Sequence, residues 1–128
     1  MFRLLQGDVG SGKTVVSFIS AANVIKSNWQ VALMAPTDIL ARQHYNLAKK
    51  IFKSTGVNIA LLSKNTDIKD KKIIYKNLQE GNINFIIGTH ALFQKNVIFK
   101  KLGLAIIDEQ HKFGVRQRIE LSNEGGKD

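Results

Sequence analysis

Residues 3–16, Arg3-Leu4-Leu5-Gln6-Gly7-Asp8-Val9-Gly10-Ser11-Gly12-Lys13-Thr14-Val15-Val16, decide the reading of the fold. Gly7 to Thr14 match the phosphate-binding pattern G-x-x-x-x-G-K-[ST]. A short apolar strand precedes them, and a helical stretch with Val16, Ile19 and Ala22 follows. Glycines suit such a loop because its amides must point inward around phosphates along a path that side chains obstruct. A helix starting near Lys13 adds its positive dipole end. In this pattern Gly7, Asp8, Val9, Gly10, Ser11 and Gly12 line the phosphates. Lys13 reaches the β- and γ-phosphates, and Thr14 offers its hydroxyl to magnesium. With average glycine usage, a chance match in a chain this short has odds on the order of one in a hundred.

Outward from this stretch, short apolar runs alternate with segments of helical spacing. The runs are Leu4-Leu5, Val31 to Ala35, Ile59 to Leu62, Phe85 to Ile87 and Leu104 to Ile107. Unbroken apolar runs predict strands covered on both faces, as in a parallel sheet. Between them, residues 38–54 place Leu40, Leu47, Ala48, Ile51 and Phe52 on one helical face, opposite Arg42, Lys49 and Lys53. Residues 67–79 turn Ile74 and Leu78 inward and Lys69, Lys72 and Lys76 outward. Five strands alternating with helices predict an α/β fold, a largely parallel sheet with flanking helices and right-handed crossovers. No repeat, linker or low-complexity tract divides the chain, and residues 1–128 read as a single domain.

A second motif, Asp108-Glu109-Gln110-His111, directly follows the last apolar run. In an open parallel sheet, ligand chemistry collects at the carboxyl ends of the strands. Asp108 is therefore the expected magnesium carboxylate and Glu109 the base that orients or deprotonates an attacking water. Such general-base help is typically worth roughly 10²–10⁴-fold. An acidic pair after a strand is by itself more often a solvated loop. On the same sheet edge as the phosphate loop, it specifies nucleoside triphosphate hydrolysis.

Composition narrows the remaining choices. The 128 residues include no cysteine, which excludes a disulfide scaffold, a Cys-type zinc finger and a thiol nucleophile. No apolar run approaches the ~20 residues of a membrane span, and the expected location is the cytoplasm. The net charge is +9, and residues 42–76 hold nine basic side chains against two acidic ones. A local positive field of this kind attracts nucleic acid. The 15 lysines to 4 arginines also fit a drift in composition, so charge alone leaves the two readings open. His44 lies on the apolar face of its helix and is expected to be a packed, hydrogen-bonded histidine rather than a ligand. His90 and His111 lack the spacing of a zinc pair. Ser11 has no His/Asp partner placed to make it a nucleophile. Trp29 is expected to pack, and the basic face of Lys69, Lys72 and Lys76 to be solvated.

The string DEQH makes this a DExH-box sequence, which resembles superfamily 2 helicases and translocases. RLLQGDVGSGKTVV, VALMAPTDILARQHY, GTHALFQ and LGLAIIDEQHKFGVRQR together resemble the first motor lobe of RecG-type, branch-migrating DNA helicases, from about Arg3 to Leu121. The resemblance implies a RecA-like P-loop NTPase lobe that binds ATP and Mg2+ and acts on branched or duplex DNA. It implies that Ala35-Pro36-Thr37 and Gly88-Thr89-His90 contact the DNA backbone, with Arg42 and Gln43 one turn beyond the first of these. Ser63-Lys64-Asn65 stands where the family usually has a Thr-Gly pair touching DNA, which leaves Lys64 a looser charge contact. Lys112 stands where the family generally has Arg, so a bidentate contact there becomes a point charge.

The sequence ends before the family's motif III strand, and the second motor lobe and wedge domain are not in it. The expectation is a partial lobe, inactive alone in unwinding. In such motors the motif III strand lies between the phosphate-loop strand and the DEQH strand. Without it the sheet is expected either to have a central gap or to pair those two strands directly. Two alternatives stay open at this point: a non-catalytic remnant with weak nucleotide or DNA binding, and a lobe of a related DExH translocase.

Overall fold

The computed structural model describes residues 3–7 and 13–108, with side chains placed for Leu4 and residues 17–108. Five strands form one parallel sheet: β1 (Arg3–Gly7), β2 (Gln30–Met34), β3 (Ile59–Leu62), β4 (Phe85–Gly88) and β5 (Leu102–Asp108). The helices are α1 (Lys13–Lys26), α2 (Asp38–Ile51) and α3 (Ile68–Glu80), and a 3-10 turn spans His90–Phe93. Every apolar run predicted as a strand lies in one or borders on it.

The strand order is β1-β5-β2-β4-β3. The path from β1 to β2 to β3 moves in one direction across the sheet, and the path from β3 through β4 to β5 moves back. With right-handed crossovers, that reversal puts α1 and α2 on one face and α3 with the 3-10 turn on the other. The two apolar clusters follow this division. Val31, Leu33, Phe85, Ile87, Leu104 and Ile106 pack against Phe18 and Ala21 of α1 and Ala41 and Ala48 of α2. Ala32, Leu62 and Ile86 pack against Leu78 of α3 and Leu92 of the 3-10 turn. Successive strand residues point to opposite faces, so both faces are covered and the strands read as continuous apolar runs.

Of the two outcomes foreseen for the sheet centre, the structure shows direct pairing. β1 and β5 are neighbours, in the register Arg3↔Leu104 through Gly7↔Asp108. No gap separates them.

Local sequence sets where the helices begin and end. Thr37, in extended conformation, caps α2 by accepting the Leu40 amide on its hydroxyl at 3.2 Å. Asp38 lies in the first turn of α2 and Lys49 and Lys50 in the last, each favourable to the helix dipole. α3 stops at Gly81, whose φ of 84° is left-handed, and the Asn82 amide returns to the Asn77 carbonyl at 2.8 Å. A β-carbon on Gly81 would also lie 2.8 Å from Cδ of Lys100.

The α1–α2 side of the core is anchored by three rings. Phe85 meets Phe18 and Phe52 edge-on, with centroids 5.8 and 5.9 Å away. Buried Gln30, at the start of β2, is satisfied by long-range bonds. Its amide nitrogen donates to the carbonyls of Leu78 and Ile83 at 2.8 Å each, and its carbonyl accepts the Lys101 amide at 2.8 Å. One side chain thus joins the ends of α3, β2 and β5. Trp29 packs as expected, half-buried beside Gly103 and under the ammonium of Lys101, 4.4 Å from the ring centroid.

The predicted inward face of α2 needs a correction. The buried residues are Ala41, His44 and Ala48, with Phe52 just past the helix, whereas Leu47 and Ile51 are 38% and 45% exposed. Two alanines let the helix lie close to the sheet, which turns the larger aliphatics toward the flanks.

Candidate functional site at the carboxyl edge of the sheet

All five strands run parallel, so all five carboxyl ends lie on one edge. Across that edge the order is Gly7, Asp108, the segment after Met34, the segment after Gly88, and the segment after Leu62. Of the motifs singled out in the sequence, the described residues Gly7, Asp108, Pro36, Thr37, Lys64, Gly88 and Thr89 fall there. The nucleotide candidates lie at the β1–β5 end, and the nucleic-acid candidates occupy β2, β4 and β3.

Gly7 and Asp108 are register partners in adjacent strands. Neighbouring strands lie about 4.8 Å apart, so the start of the phosphate-loop motif and the first acid of DEQH share one small region. α1 begins at Lys13 and puts Lys13 and Thr14 in its first turn. Asp8, Val9, Gly10, Ser11, Gly12 and Glu109 lie outside the described residues, as do the side chains of Lys13 and Thr14.

Asp108 is fully buried, and its position on β5 explains which way it faces. It shares a face with Ile106 and Leu104, two and four residues back, and that face is the one α1 and α2 cover. There it meets His44: Nε2 of His44 lies 2.8 Å from Oδ2 of Asp108, with the two side chains 8% and 0% exposed. A carboxylate only accepts, so Nε2 carries the proton and donates. His44 is thus the packed, hydrogen-bonded residue expected, but its partner was not foreseen. The signal was present in two periodicities, since β5 points Asp108 toward α2 and α2 points His44 toward the sheet.

The residues present fit a magnesium ion. Asp108 is a hard oxygen donor at a strand end beside the loop motif, and magnesium is typically held by one or two carboxylates together with phosphates and waters. Among the described residues no group of three or more His, Cys, Asp or Glu could hold a metal.

On the nucleic-acid side, Pro36 is half-buried and Thr37 exposed at the start of α2, with Arg42 and Gln43 exposed one turn on. The Thr37 hydroxyl accepts from Leu40 and keeps its own proton to donate. Gly88 is buried, Thr89 half-buried and His90 exposed. Lys64 is exposed on a turn held by Ser63, whose carbonyl and hydroxyl accept the amides of Thr66 and Asn65 at 3.1 and 3.2 Å. Lys69, Lys72 and Lys76 are exposed along α3. No helix among the described residues is long and apolar enough to cross a membrane.

A parallel sheet with Gly7 and Asp108 at adjacent strand ends is the frame of a nucleoside-triphosphate-binding lobe, and the chain belongs to the DEAD/DEAH box helicase family, whose model matches residues 3–124. Within the family, the relatives it resembles include RecG helicases. It is 54% identical over 125 residues to the ATP-dependent DNA helicase RecG of Aquifex aeolicus (strain VF5), covering 98% of this chain and 16% of that protein. It is 50% identical over 125 residues to the RecG of Borreliella burgdorferi, covering 98% of this chain and 18% of that protein. A solved structure of RecG bound to a three-way DNA junction superposes with a TM-score of 0.75 at 49% identity, over 88% of this chain and 15% of that one. The fold is RecA-like. The chain spans less than one-fifth of the length of these relatives.

Proposed function

We propose that residues 1–128 form part of the ATP-binding motor lobe of a RecG-like DNA helicase, in which ATP hydrolysis drives translocation and branch migration. One observation supports this reading: the Gly7↔Asp108 register, which sets the first residue of the phosphate-loop motif beside the first acid of DEQH at adjacent strand ends. The loop from Gly7 to Gly12 wraps the phosphates, and Lys13 neutralises the β- and γ-oxygens. Thr14 and Asp108 hold Mg2+, which when bound offsets the negative charge on the phosphate oxygens. Glu109 orients the attacking water and takes its proton.

The DNA side draws on the same edge. The start of α2 presents backbone amides and the Thr37 hydroxyl to a phosphate, as helix starts do. Pro36, Gly88, Thr89 and His90 line the path of the strand, with Arg42 and Lys64 adding charge at its margins. The partners are branched or duplex DNA and, in a full-length helicase, the second motor lobe and the wedge domain. The work is done in the bacterial cytoplasm.

The deciding experiment is equilibrium binding of a fluorescent ATP analogue with Mg2+. Wild type is expected to bind weakly, and Lys13→Ala to abolish the signal while leaving the far-UV circular dichroism unchanged. Equal binding by both proteins would refute the phosphate-loop assignment. Strand separation by the 128-residue chain alone is expected to be negligible. An arginine finger supplied by another lobe is typically worth 10³–10⁵-fold in phosphoryl transfer. Robust unwinding of a forked duplex by this chain would contradict the partial-lobe reading.

A further inference from the structure

We propose that His44 is a positioning residue for the divalent-cation site: it holds the Asp108 carboxylate in the orientation in which that carboxylate meets the cation. The inference rests on the reading of Asp108 as the cation's carboxylate and names the group that aims it.

Three observations carry it. The first is the contact itself, a buried 2.8 Å bond from Nε2 of His44 to Oδ2 of Asp108. Bonds to an ionised acceptor are stronger and more directional than neutral ones, so this one restricts the carboxylate's rotation. The second is its place in the fold. The partners are 64 residues apart and join α2 to the end of β5, at the strand end that pairs with Gly7. The third is the helix face. His44 shares its buried stripe with Ala41 and Ala48, which already settle α2 on the sheet by apolar contact. A polar ring on that stripe adds orientation to packing. Partners hydrogen-bonded to a metal ligand commonly contribute 10–100-fold to metal affinity.

The test compares binding of a fluorescent, non-hydrolysable ATP analogue to the 128-residue chain with Mg2+ and with EDTA. Wild type is expected to gain affinity from Mg2+. His44→Ala and His44→Leu are expected to lose that gain by about 10-fold or more while their affinity in EDTA stays at the wild-type value. His44→Gln, whose amide restores a donor near the Nε2 position, is expected to recover most of the gain. Equal losses with and without Mg2+, or an unchanged Mg2+ gain in His44→Leu, would overturn the proposal. A wild-type chain that binds the analogue with no gain from Mg2+ would instead sink the assignment of Asp108, and the role of His44 with it.

A second measurement needs no variant. In ¹⁵N-labelled wild type, adding Mg2+ to the analogue-bound chain is expected to shift the His44 Nε2 resonance, whereas adding the analogue alone leaves it nearly unmoved. A His44 signal indifferent to Mg2+ while the amides of the phosphate loop respond would also overturn the proposal.

Discussion

Gly88 shows how one residue can be read for one reason and required for another. Its place in the GTH motif marks it as a DNA-side residue by resemblance. In the sheet, a β-carbon at this position would lie 2.2 Å from the Leu62 carbonyl oxygen and 3.1 Å from the side chain of Leu92. Gly88→Ala is therefore expected to destabilise the fold by roughly 1–3 kcal/mol, as overpacking does, seen as a lower urea midpoint at unchanged m-value. A loss of DNA binding in that variant would report on the sheet. Thr89 and His90, nearer solvent, are the positions at which a DNA contact can be tested without disturbing β4. The motif was legible in the sequence, but the crowding was not, because it arises between two strands whose pairing no local pattern states.

α2 raises the same issue one level up. Its existence and start were legible from the spacing over 38–54, while its end falls earlier, at Ile51. Its inward face was only partly legible, because the apolar residues of 38–54 cover a wide arc and several rotations satisfy it. Contact with the sheet selects the rotation that buries Ala41 and Ala48 as α2 lies over β3 and β4 and brings His44 to Asp108. The consequence is measurable in denaturant. Phe85→Ala, which removes the centre of the three-ring contact, is expected to cost about 3–5 kcal/mol. Ile51→Ala, at a largely exposed position, is expected to cost less than about 1 kcal/mol. Comparable losses at the two positions would mean that the helix sits on the sheet by its other face.

For the molecule as a whole, the parallel sheet gathers its chemistry on one edge and separates it by strand. Nucleotide candidates cluster at β1 and β5, nucleic-acid candidates at β2, β4 and β3, and α2 reaches both, with Thr37 at its start and His44 within it. If that edge binds DNA, affinity is expected to fall with salt along a log–log slope of about −0.9 per phosphate neutralised on duplex. Replacing Arg42 and Lys64 together by alanine is expected to reduce the slope by roughly 2. Replacing Lys69, Lys72 and Lys76 on α3 is expected to leave it nearly unchanged, as for a solvated face. A slope set by the α3 lysines instead would move the DNA path off this edge.

The sequence by itself determined the alternation of strands and helices, the covering of both sheet faces and the residue types at each strand end. These rest on periodicity and on chemistry within a few residues of chain, which a linear string carries. Only the tertiary structure decided that β1 pairs directly with β5, that Gln30 bridges three elements, that the Leu62 carbonyl crowds Gly88, and that His44 meets Asp108. Each of these depends on a distance of a few ångströms between groups far apart in sequence. Such distances are set by strand order, crossover handedness and the depth to which a helix settles on its sheet, and all three emerge only when the whole core packs at once.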